Sequence, residues 1–287
     1  MKSTYIYLIA LLLSLPAVLS AQKKLVILHT NDTHSRIEEI PTTDSKYPNT
    51  AGVINRKAII DSIRSLYTNV LLLDAGDFVQ GTPYFNLFKG RAETDAMNLL
   101  GYEATTIGNH EFDYGLDTMK MIFERLDFPV VNSNYDFSNT VVKDVVKPYI
   151  VIKKFGLKIG ILGVGPNPEG LVQEDKYKGM IFNPIVESAN KYAEILKKKE
   201  KCDLIICLSH IGYTDDHAQK EGAKAVLDPY LAENSRYIDV IIGGHSHTYM
   251  TKPDIRKNKD GKDIMIFQVG KNGTYIGKLE LDLAETK

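Results

Sequence analysis

The sequence predicts an α/β fold, because short apolar runs alternate along the chain with stretches of helical periodicity. The runs are rich in β-branched residues and bounded by turn residues, which is typical of strands buried in a sheet. They lie at residues 25–28, 70–73, 104–107, 130–131, 157–164, 204–208 and 240–242. Strands that alternate with helices in this way favour an α/β architecture with mainly buried sheets.

Two of the intervening stretches have a clear helical pattern. Their apolar positions are Val53, Ile60, Ile63 and Tyr67 in the first, and Ile185, Ala189, Tyr192 and Leu196 in the second. In the second helix we expect Asn183 to act as the cap and Pro184 to occupy the first position. Residues 264–269 and 275–283 predict a closing antiparallel pair, joined around Asn272.

The first 21 residues are typical of a secretory signal peptide. Lys2 is their only charge, residues 5–19 are almost wholly apolar, and small residues follow at Ser20 and Ala21. Cleavage after Ser20 or Ala21 would place the protein in the periplasm or outside the cell. The apolar run is short for a membrane span, so no stable membrane anchor is expected. Residues 22–287 contain no linker-like stretch and are expected to form one domain.

The overall charge of the chain narrows the choice of partners. The formal net charge of −1 argues against binding a nucleic-acid polymer or an anionic membrane through bulk charge. A small anionic substrate held by a local cationic centre remains compatible with it. Cys202 and Cys207 lie at an odd separation on a predicted strand and would point to opposite faces, so no disulfide is expected between them.

Polar side chains follow five of the predicted strands, just beyond their carboxyl ends. This is the edge at which α/β sheets bind ligands. Five segments that are distant in sequence can therefore bring side chains to one place. The candidates are Asp32, His34, Asp77, Asn109, His110, His210, His245 and His247.

These residue types predict a metal site. Mixed histidine and carboxylate ligands suit Zn²⁺, Mn²⁺ or Fe and do not suit Ca²⁺. Eight candidates exceed the needs of one tetrahedral ion. They fit two divalent ions that share a bridging carboxylate, with one residue left for acid–base work. His29 is not among them, because its place near the end of a strand predicts that it points into the core.

The densest of these segments reads Gly-Asn-His-Glu-Phe-Asp-Tyr-Gly at residues 108–115. With residues 76–83 and 27–34, it resembles the calcineurin-like metallophosphoesterase superfamily, and within it the N-terminal catalytic domain of the 5′-nucleotidases. Gly52 and Arg56 resemble a helix start of that branch, from which Ala51 and Asn55 depart. The resemblance extends over residues 24 to about 283.

The resemblance implies a four-layer αββα sandwich and a role for each candidate. Asp32, His34 and His247 would hold one metal ion, and Asn109, His210 and His245 the other, with Asp77 bridging both. His110 and Asp113 would form a catalytic dyad, in which His110 acts either as general acid or as an electrostatic stabiliser.

The function implied is that of an exported phosphomonoesterase, in which a metal-bridging hydroxide attacks the phosphorus of a nucleotide. Further substrates could be 2′,3′-cyclic nucleotides or nucleotide sugars. An alternative keeps the metals and hydrolyses sulfur esters. Because the sequence ends at Lys287, we expect no C-terminal base-binding domain. A second alternative is therefore the catalytic half of a split enzyme, whose base-binding domain is a separately encoded chain.

Overall fold

The computed structural model describes residues 24–214, 220–221 and 224–282, and within them strands alternate with helices as predicted. The expected signal peptide lies outside the described residues. In the described part of the chain, no helix is both long enough and apolar enough to cross a membrane. The α/β fold class is confirmed.

The strands vary from two to eight residues in length. In chain order they are β1 (Lys24–Thr30), β2 (Val70–Asp74), β3 (Val130–Val131), β4 (Tyr135–Asp136), β5 (Val146–Lys147), β6 (Tyr149–Lys154), β7 (Leu157–Val164), β8 (Ile181–Phe182), β9 (Leu204–Ser209), β10 (Lys220–Glu221), β11 (Lys224–Ala225), β12 (Val240–Gly243), β13 (Asp254–Lys257), β14 (Asp263–Phe267) and β15 (Gly277–Asp282). The short pairs β4–β8 and β10–β11 lie outside the two main sheets.

The first main sheet has the order β15-β1-β2, with β1 parallel to β2 and antiparallel to β15. Single bridges from Leu73 to Ala104 and from Thr105 to Val130 continue it towards β3 and β5. The strand predicted at residues 104–107 is therefore reduced to two bridges. It still carries the chain to the same edge of the sheet as β1 and β2.

The second main sheet has six strands in the order β13-β14-β12-β9-β7-β6. Its four central strands are parallel, whereas β13 and β6 are antiparallel edge strands. Parallel central strands place their carboxyl ends at one edge, which is where the predicted ligands follow β9 and β12.

The helices cover the outer faces of both sheets. They are α1 (Val53–Leu66), α2 (Pro83–Phe88), α3 (Arg91–Leu100), α4 (Gly115–Glu124), α5 (Ile185–Glu194) and α6 (Asp228–Asn234), with 3₁₀ turns at His110–Phe112 and Glu174–Lys176 and a π turn at Ile195–Lys199. The predicted cap of α5 is wrong by one position, because Pro184 is itself the cap residue and makes no side-chain cap bond.

Side-chain alternation along β1 shows how the layers stack. Val26 and Leu28 belong to a core shared with α1, α3 and α4, whereas Leu25 and Ile27 face the second sheet. On the far side of that sheet, a third core includes Ile205 of β9 and residues of α5 and α6. This order of helix, sheet, sheet and helix is the predicted αββα sandwich.

The predicted closing hairpin is wrong. Residues 264–269 contribute β14, which pairs with β12 and β13, whereas residues 275–283 contribute β15, which pairs with β1 in the other sheet. Residue 283 lies outside the described residues. The burial pattern of β15 alternates, with Gly277 and Leu279 inside, so it suits the edge of the first sheet. The loop around Asn272 thus crosses between sheets instead of closing a turn.

Cys202 and Cys207 are both buried and free, and the prediction that they form no disulfide with each other is confirmed. His29 is fully buried, as expected, and its ring meets Phe267 edge-on at a centroid distance of 5.8 Å. Neither ring nitrogen has a hydrogen-bond partner. Burial therefore lowers the pKa of His29 from its ordinary value of 6.5 to about 4.

In the His29→Leu variant, the free energy of unfolding is expected to decrease less in acid than it does in the wild type. A histidine whose folded-state pKa is depressed stabilises the fold above its unfolded pKa, and this contribution is lost as pH falls from 6.5 towards 4. Over that pH range, the contribution of His29 to the free energy of unfolding changes by about 3 kcal/mol. Denaturant unfolding of both proteins at several pH values measures it. Equal pH dependence in the wild type and the variant would refute the prediction.

Candidate metal centre

The structure brings all nine predicted site residues to one edge of the two sheets. Asp32 and His34 follow β1, Asp77 follows β2, His210 follows β9, and His245 and His247 follow β12. The segment with Asn109, His110 and Asp113 follows the bridges at Ala104 and Thr105. Each of the nine lies within 3.8 Å of another member of the set.

One group of potential ligands consists of Asp32, His34 and His247, whose ligand atoms all lie within 4.8 Å of one another. The Nε2 atoms of the two histidines are 3.0 Å apart, and Nε2 of His247 is 3.3 Å from Oδ1 of Asp32. Asp32 and His34 are buried, whereas the His247 side chain is 34% exposed. The group is thus closed on the inside and open towards solvent at His247.

A second group consists of Asp32, Asp77 and His210, which are all buried. His210 Nε2 lies 3.0 Å from Oδ2 of Asp77 and 3.7 Å from Oδ1 of Asp32. Its other nitrogen, Nδ1, donates a hydrogen bond to the Ala75 carbonyl at 2.6 Å. This bond fixes the tautomer and leaves Nε2 directed at the two carboxylates, as in a metal-binding histidine.

Asn109 and His245 lie beside His210 and complete the set of seven predicted metal ligands. Oδ1 of Asn109 is 2.9 Å from Nδ1 of His245, and the rings of His210 and His245 are 5.3 Å apart. The backbone N–H of His245 also donates to Oδ2 of Asp32 at 3.0 Å. An amide oxygen can coordinate a cation without adding charge, so Asn109 suits a ligand position.

The buried charges strongly influence each other. Burial opposes ionisation of Asp77, but the attraction of His210 outweighs it and holds the pKa of Asp77 well below its usual range. Burial likewise opposes protonation of His210, and the charges of Asp77 and Asp32 overcome it and raise the pKa of His210 to about 10. Burial lowers the pKa of His34.

The donor set fits a pair of cations. Imidazole nitrogens and carboxylate oxygens point into one space, and Nε2 of buried His210, although 3.0 Å from Oδ2 of Asp77, makes no hydrogen bond of suitable geometry. Nε2 of His34 and Nε2 of His247 lie 3.0 Å apart, a short distance that one cation bound by both nitrogens would explain. Asp32, His34 and Asp77 each belong to two of the three groups, and the carboxylate of Asp77, which has two oxygens and contacts His210, suits a bridging position.

The backbone of the site is held in unusual conformations. Asp32, His34, Asp77, His245 and His247 have positive φ angles of 50°, 46°, 55°, 73° and 53°. Left-handed backbone at a non-glycine residue costs about 1–3 kcal/mol and persists where the surrounding structure enforces it. These loops therefore place side chains at the expense of local stability, as functional loops commonly do.

Two glycines make room for the ligands. A Cβ atom at Gly244 would lie 2.7 Å from Nδ1 of His210 and would disrupt its bond to Ala75. A Cβ atom at Gly108 would collide with the Asp77 carboxylate and lie 2.7 Å from Nε2 of His210. Both positions therefore require a residue without a side chain.

His110 and Asp113 form a pair at the edge of the site. Nδ1 of His110 is 3.1 Å from Oδ2 of Asp113, and both side chains are about one-third exposed. Burial opposes protonation of His110, but the hydrogen bond that its ring donates to Asp113 and the charge of Asp77 raise the pKa of His110 to about 9. His110 also groups with His34 and Asp77 within 4.8 Å, so its geometry suits either a cationic acid or a ligand.

Sequence reasoning missed two residues that position ligands. Asn31 donates to Oδ2 of Asp32 at 2.6 Å and to the Gly270 carbonyl at 2.7 Å. Glu111 accepts three backbone N–H bonds, from Gly108, Asp77 and Phe78, at 2.6, 3.1 and 3.0 Å. For Glu111, the only signal in the sequence was the presence of two acidic residues, Glu111 and Asp113, in the polar segment 108–115.

Glu111→Gln is expected to destabilise the protein by about 1–3 kcal/mol, because an amide group would face at least one backbone N–H that now has an acceptor. Burial and the charge of Asp77 raise the pKa of Glu111 to about 8, so lost charge alone would have a smaller effect. Denaturant unfolding measures the change. The exposed Glu124→Gln on α4 is the control, and equal stability of the two variants would contradict the assigned role.

Comparison with known proteins agrees with this geometry. The profile of the calcineurin-like phosphoesterase family matches residues 25–249. Snake venom 5′-nucleotidase from Gloydius brevicauda is 30% identical over 92% of this chain and 46% of its own length. The 5′-nucleotidase of Homo sapiens is 30% identical over 96% of this chain and 50% of its own length.

A solved structure gives the same correspondence. The 5′-nucleotidase precursor from Thermus thermophilus superposes with a TM-score of 0.79 at 33% identity, over 90% of this chain and 51% of that one. The chain therefore spans about half the length of the nucleotidases it matches. From its profile match, its αββα sandwich and its set of potential ligands at one sheet edge, this chain belongs to the calcineurin-like phosphoesterase family.

Proposed function

We propose that this chain is a metal-dependent phosphoric ester hydrolase that releases phosphate from nucleotides. The observation that carries the proposal is the set of three ligand groups at one edge of the sheets, which are linked through their shared members Asp32, His34 and Asp77. The 5′-nucleotidase relatives support a nucleotide as the substrate. Export to the periplasm or the medium, expected from residues 1–21, is part of the same proposal.

In this proposal Asp32, His34 and His247 hold one divalent ion, and Asn109, His210 and His245 hold the other. Asp77 bridges them, and Zn²⁺, Mn²⁺ and Fe all suit this donor set. When bound, such ions polarise phosphoryl oxygens and bring the pKa of a bound water down towards ~7. The chain's own contribution is to hold these donors together on loops whose backbone is left-handed at five of the ligand residues.

His110 is proposed either to donate a proton to the substrate or to stabilise negative charge on it. Asp113 accepts the Nδ1–H of His110, which orients the ring and favours its cationic form. The main-chain N–H of His110 donates to Oδ1 of Asp77 at 2.9 Å, so the backbone at His110 is tied to the proposed bridging ligand. A cationic imidazole there can donate a proton to the leaving oxygen or stabilise charge on the phosphoryl group.

A panel of phosphate esters tests the proposal. We expect the purified chain to hydrolyse 4-nitrophenyl phosphate and adenosine 5′-monophosphate only with divalent metal, and to stop after chelation. Thiosulfate-type substrates in the same panel separate phosphate from sulfur esters. Hydrolysis that survives complete chelation would exclude the metal mechanism, and release from sulfur esters alone would exclude the nucleotide.

The half-length match is compatible with the alternative in which a separately encoded base-binding chain is required. In that case the aryl phosphate would be hydrolysed normally, whereas turnover of adenosine 5′-monophosphate would rise sharply on adding the partner. Equal turnover with and without a candidate partner would argue against it.

A further inference from the structure

Three tyrosines form an aromatic cluster beside the candidate metal centre. The rings of Tyr249 and Tyr275 are stacked at a centroid distance of 4.2 Å and an interplanar angle of 26°. Tyr47 meets Tyr275 edge-on at 6.0 Å and 87°. Tyr249 is 51% exposed, so one part of this stack is open to solvent. We refer to Tyr47, Tyr249 and Tyr275 as the tyrosine cluster.

The cluster is attached to the metal centre through both of its loops. Tyr249 follows His247 by two residues, which limits the distance between their Cα atoms to about 7 Å. On the loop that leads to Tyr275, the N–H of Asn272 donates to the Asp32 carbonyl at 2.7 Å. The Gly270 carbonyl accepts from Asn31, which also bonds the Asp32 carboxylate. The loops that carry Tyr249 and Tyr275 are therefore both attached to the candidate metal centre, which keeps the exposed part of Tyr249 close to the space where a phosphate ester would bind.

The geometry is that of a preformed stacking surface. Tyr275 supports Tyr249 from one side and Tyr47 supports Tyr275, so little side-chain freedom is left to lose on binding. Exposed aromatic rings of this kind bind the flat faces of nucleobases, and they do so with little regard to base identity. An aliphatic sugar phosphate offers no such face.

We propose that the tyrosine cluster stacks against the aromatic base of the substrate while the metal centre holds its phosphate. This inference rests on the proposed function and assigns it a substrate class: phosphate esters whose leaving group carries an aromatic ring within reach of Tyr249. It requires no base-specific hydrogen bonds, so purine and pyrimidine nucleotides are both substrates.

The test compares adenosine 5′-monophosphate with ribose 5-phosphate, which lacks the base. Tyr249→Ala is expected to lower kcat/KM for the nucleotide by about tenfold or more, a typical effect of removing one stacking ring. Hydrolysis of ribose 5-phosphate should be unchanged, and Tyr249→Phe should retain wild-type selectivity. Tyr192→Ala is the matched control, because it removes one ring of a tyrosine pair on α5 and β6, 5.9 Å from Tyr149.

Equal effects of Tyr249→Ala on the two substrates, or no effect on either, would overturn the proposal. Failure of the proposed function has a different signature, since neither substrate would then be hydrolysed with metal. In that event, calorimetric binding of the nucleotide and the sugar phosphate to metal-loaded protein, with and without Tyr249→Ala, still decides the matter. Preferential binding of the nucleotide that is lost in the variant supports the stacking surface, and equal binding refutes it.

Discussion

Asp77→Asn will remove metal and hydrolysis together. Asp77 is buried, lies 3.0 Å from Nε2 of His210 and belongs to two of the three ligand groups. Asparagine keeps the shape but loses the negative charge, and it would direct either a neutral oxygen or an NH₂ group at the histidine. Loss of a shared ligand removes several kcal/mol of charge stabilisation, so activity should fall by about three orders of magnitude or more.

Metal content by elemental analysis and initial rates of phosphate release, measured on the same preparation, check this prediction. Asp117→Asn is the matched control, because Asp117 is an exposed carboxylate on α4. The control should keep both metal and activity. An Asp77→Asn protein with full metal content and full activity would show that Asp77 is not a bridging ligand.

His110→Asn will lose activity while keeping its metal. The backbone N–H that bonds Asp77 is unchanged by this substitution, so the arrangement of the proposed ligands should persist. What is lost is the cationic ring, whose pKa Asp113 and Asp77 raise to about 9. General acid catalysis contributes roughly 10²–10⁴-fold, and a loss in that range is expected.

The comparison with Asp113→Asn tests whether the two residues act as a pair. Asp113 acts through His110, so its substitution should reduce the rate less than His110→Asn and leave metal content unchanged. A fully active His110→Asn enzyme would end the dyad hypothesis. Parallel loss of metal in His110→Asn would instead identify His110 as a ligand, in keeping with its grouping with His34 and Asp77.

The convergence of the site residues could be predicted because it follows from strand direction. Asp32 and Asp77 follow parallel strands of the first main sheet and His210 follows a parallel strand of the second, and parallel strands end at the same edge of their sheet. Sequence could therefore indicate a common site without knowing the pairing of the strands. The division into ligands and acid–base residues came from family resemblance, since an imidazole such as His110 suits both roles.

Long-range strand pairing could not be predicted in the same way. Residues 275–283 have the composition of a hairpin partner for residues 264–269, yet Leu279 pairs with Ile27 at the other end of the chain. Local patterns carry no information about a partner that is so distant in sequence.

Residues 104–107 were predicted as a strand from their apolar character. In the structure this segment forms only single bridges, while the hydroxyl of Thr105 donates to Asp74 and that of Thr106 to the Val131 carbonyl.

The role of Glu111 shows a different limit. Glu111 and Asp113 are both acidic residues of one short segment, and nothing in their order reveals which turns inward. The structure buries Glu111 against three backbone N–H groups and leaves Asp113 partly exposed beside His110. Only the path of the 3₁₀ turn at His110–Phe112 separates the two.

The most direct test of the central claim is the metal stoichiometry of active protein, measured by elemental analysis while metal is titrated into the chelator-treated chain. The predicted ligands provide for two divalent ions, so hydrolysis of adenosine 5′-monophosphate should rise with metal content and reach its plateau at two ions per chain. Full activity in the metal-free chain, or a plateau with a single ion bound, would contradict a two-metal centre bridged by Asp77.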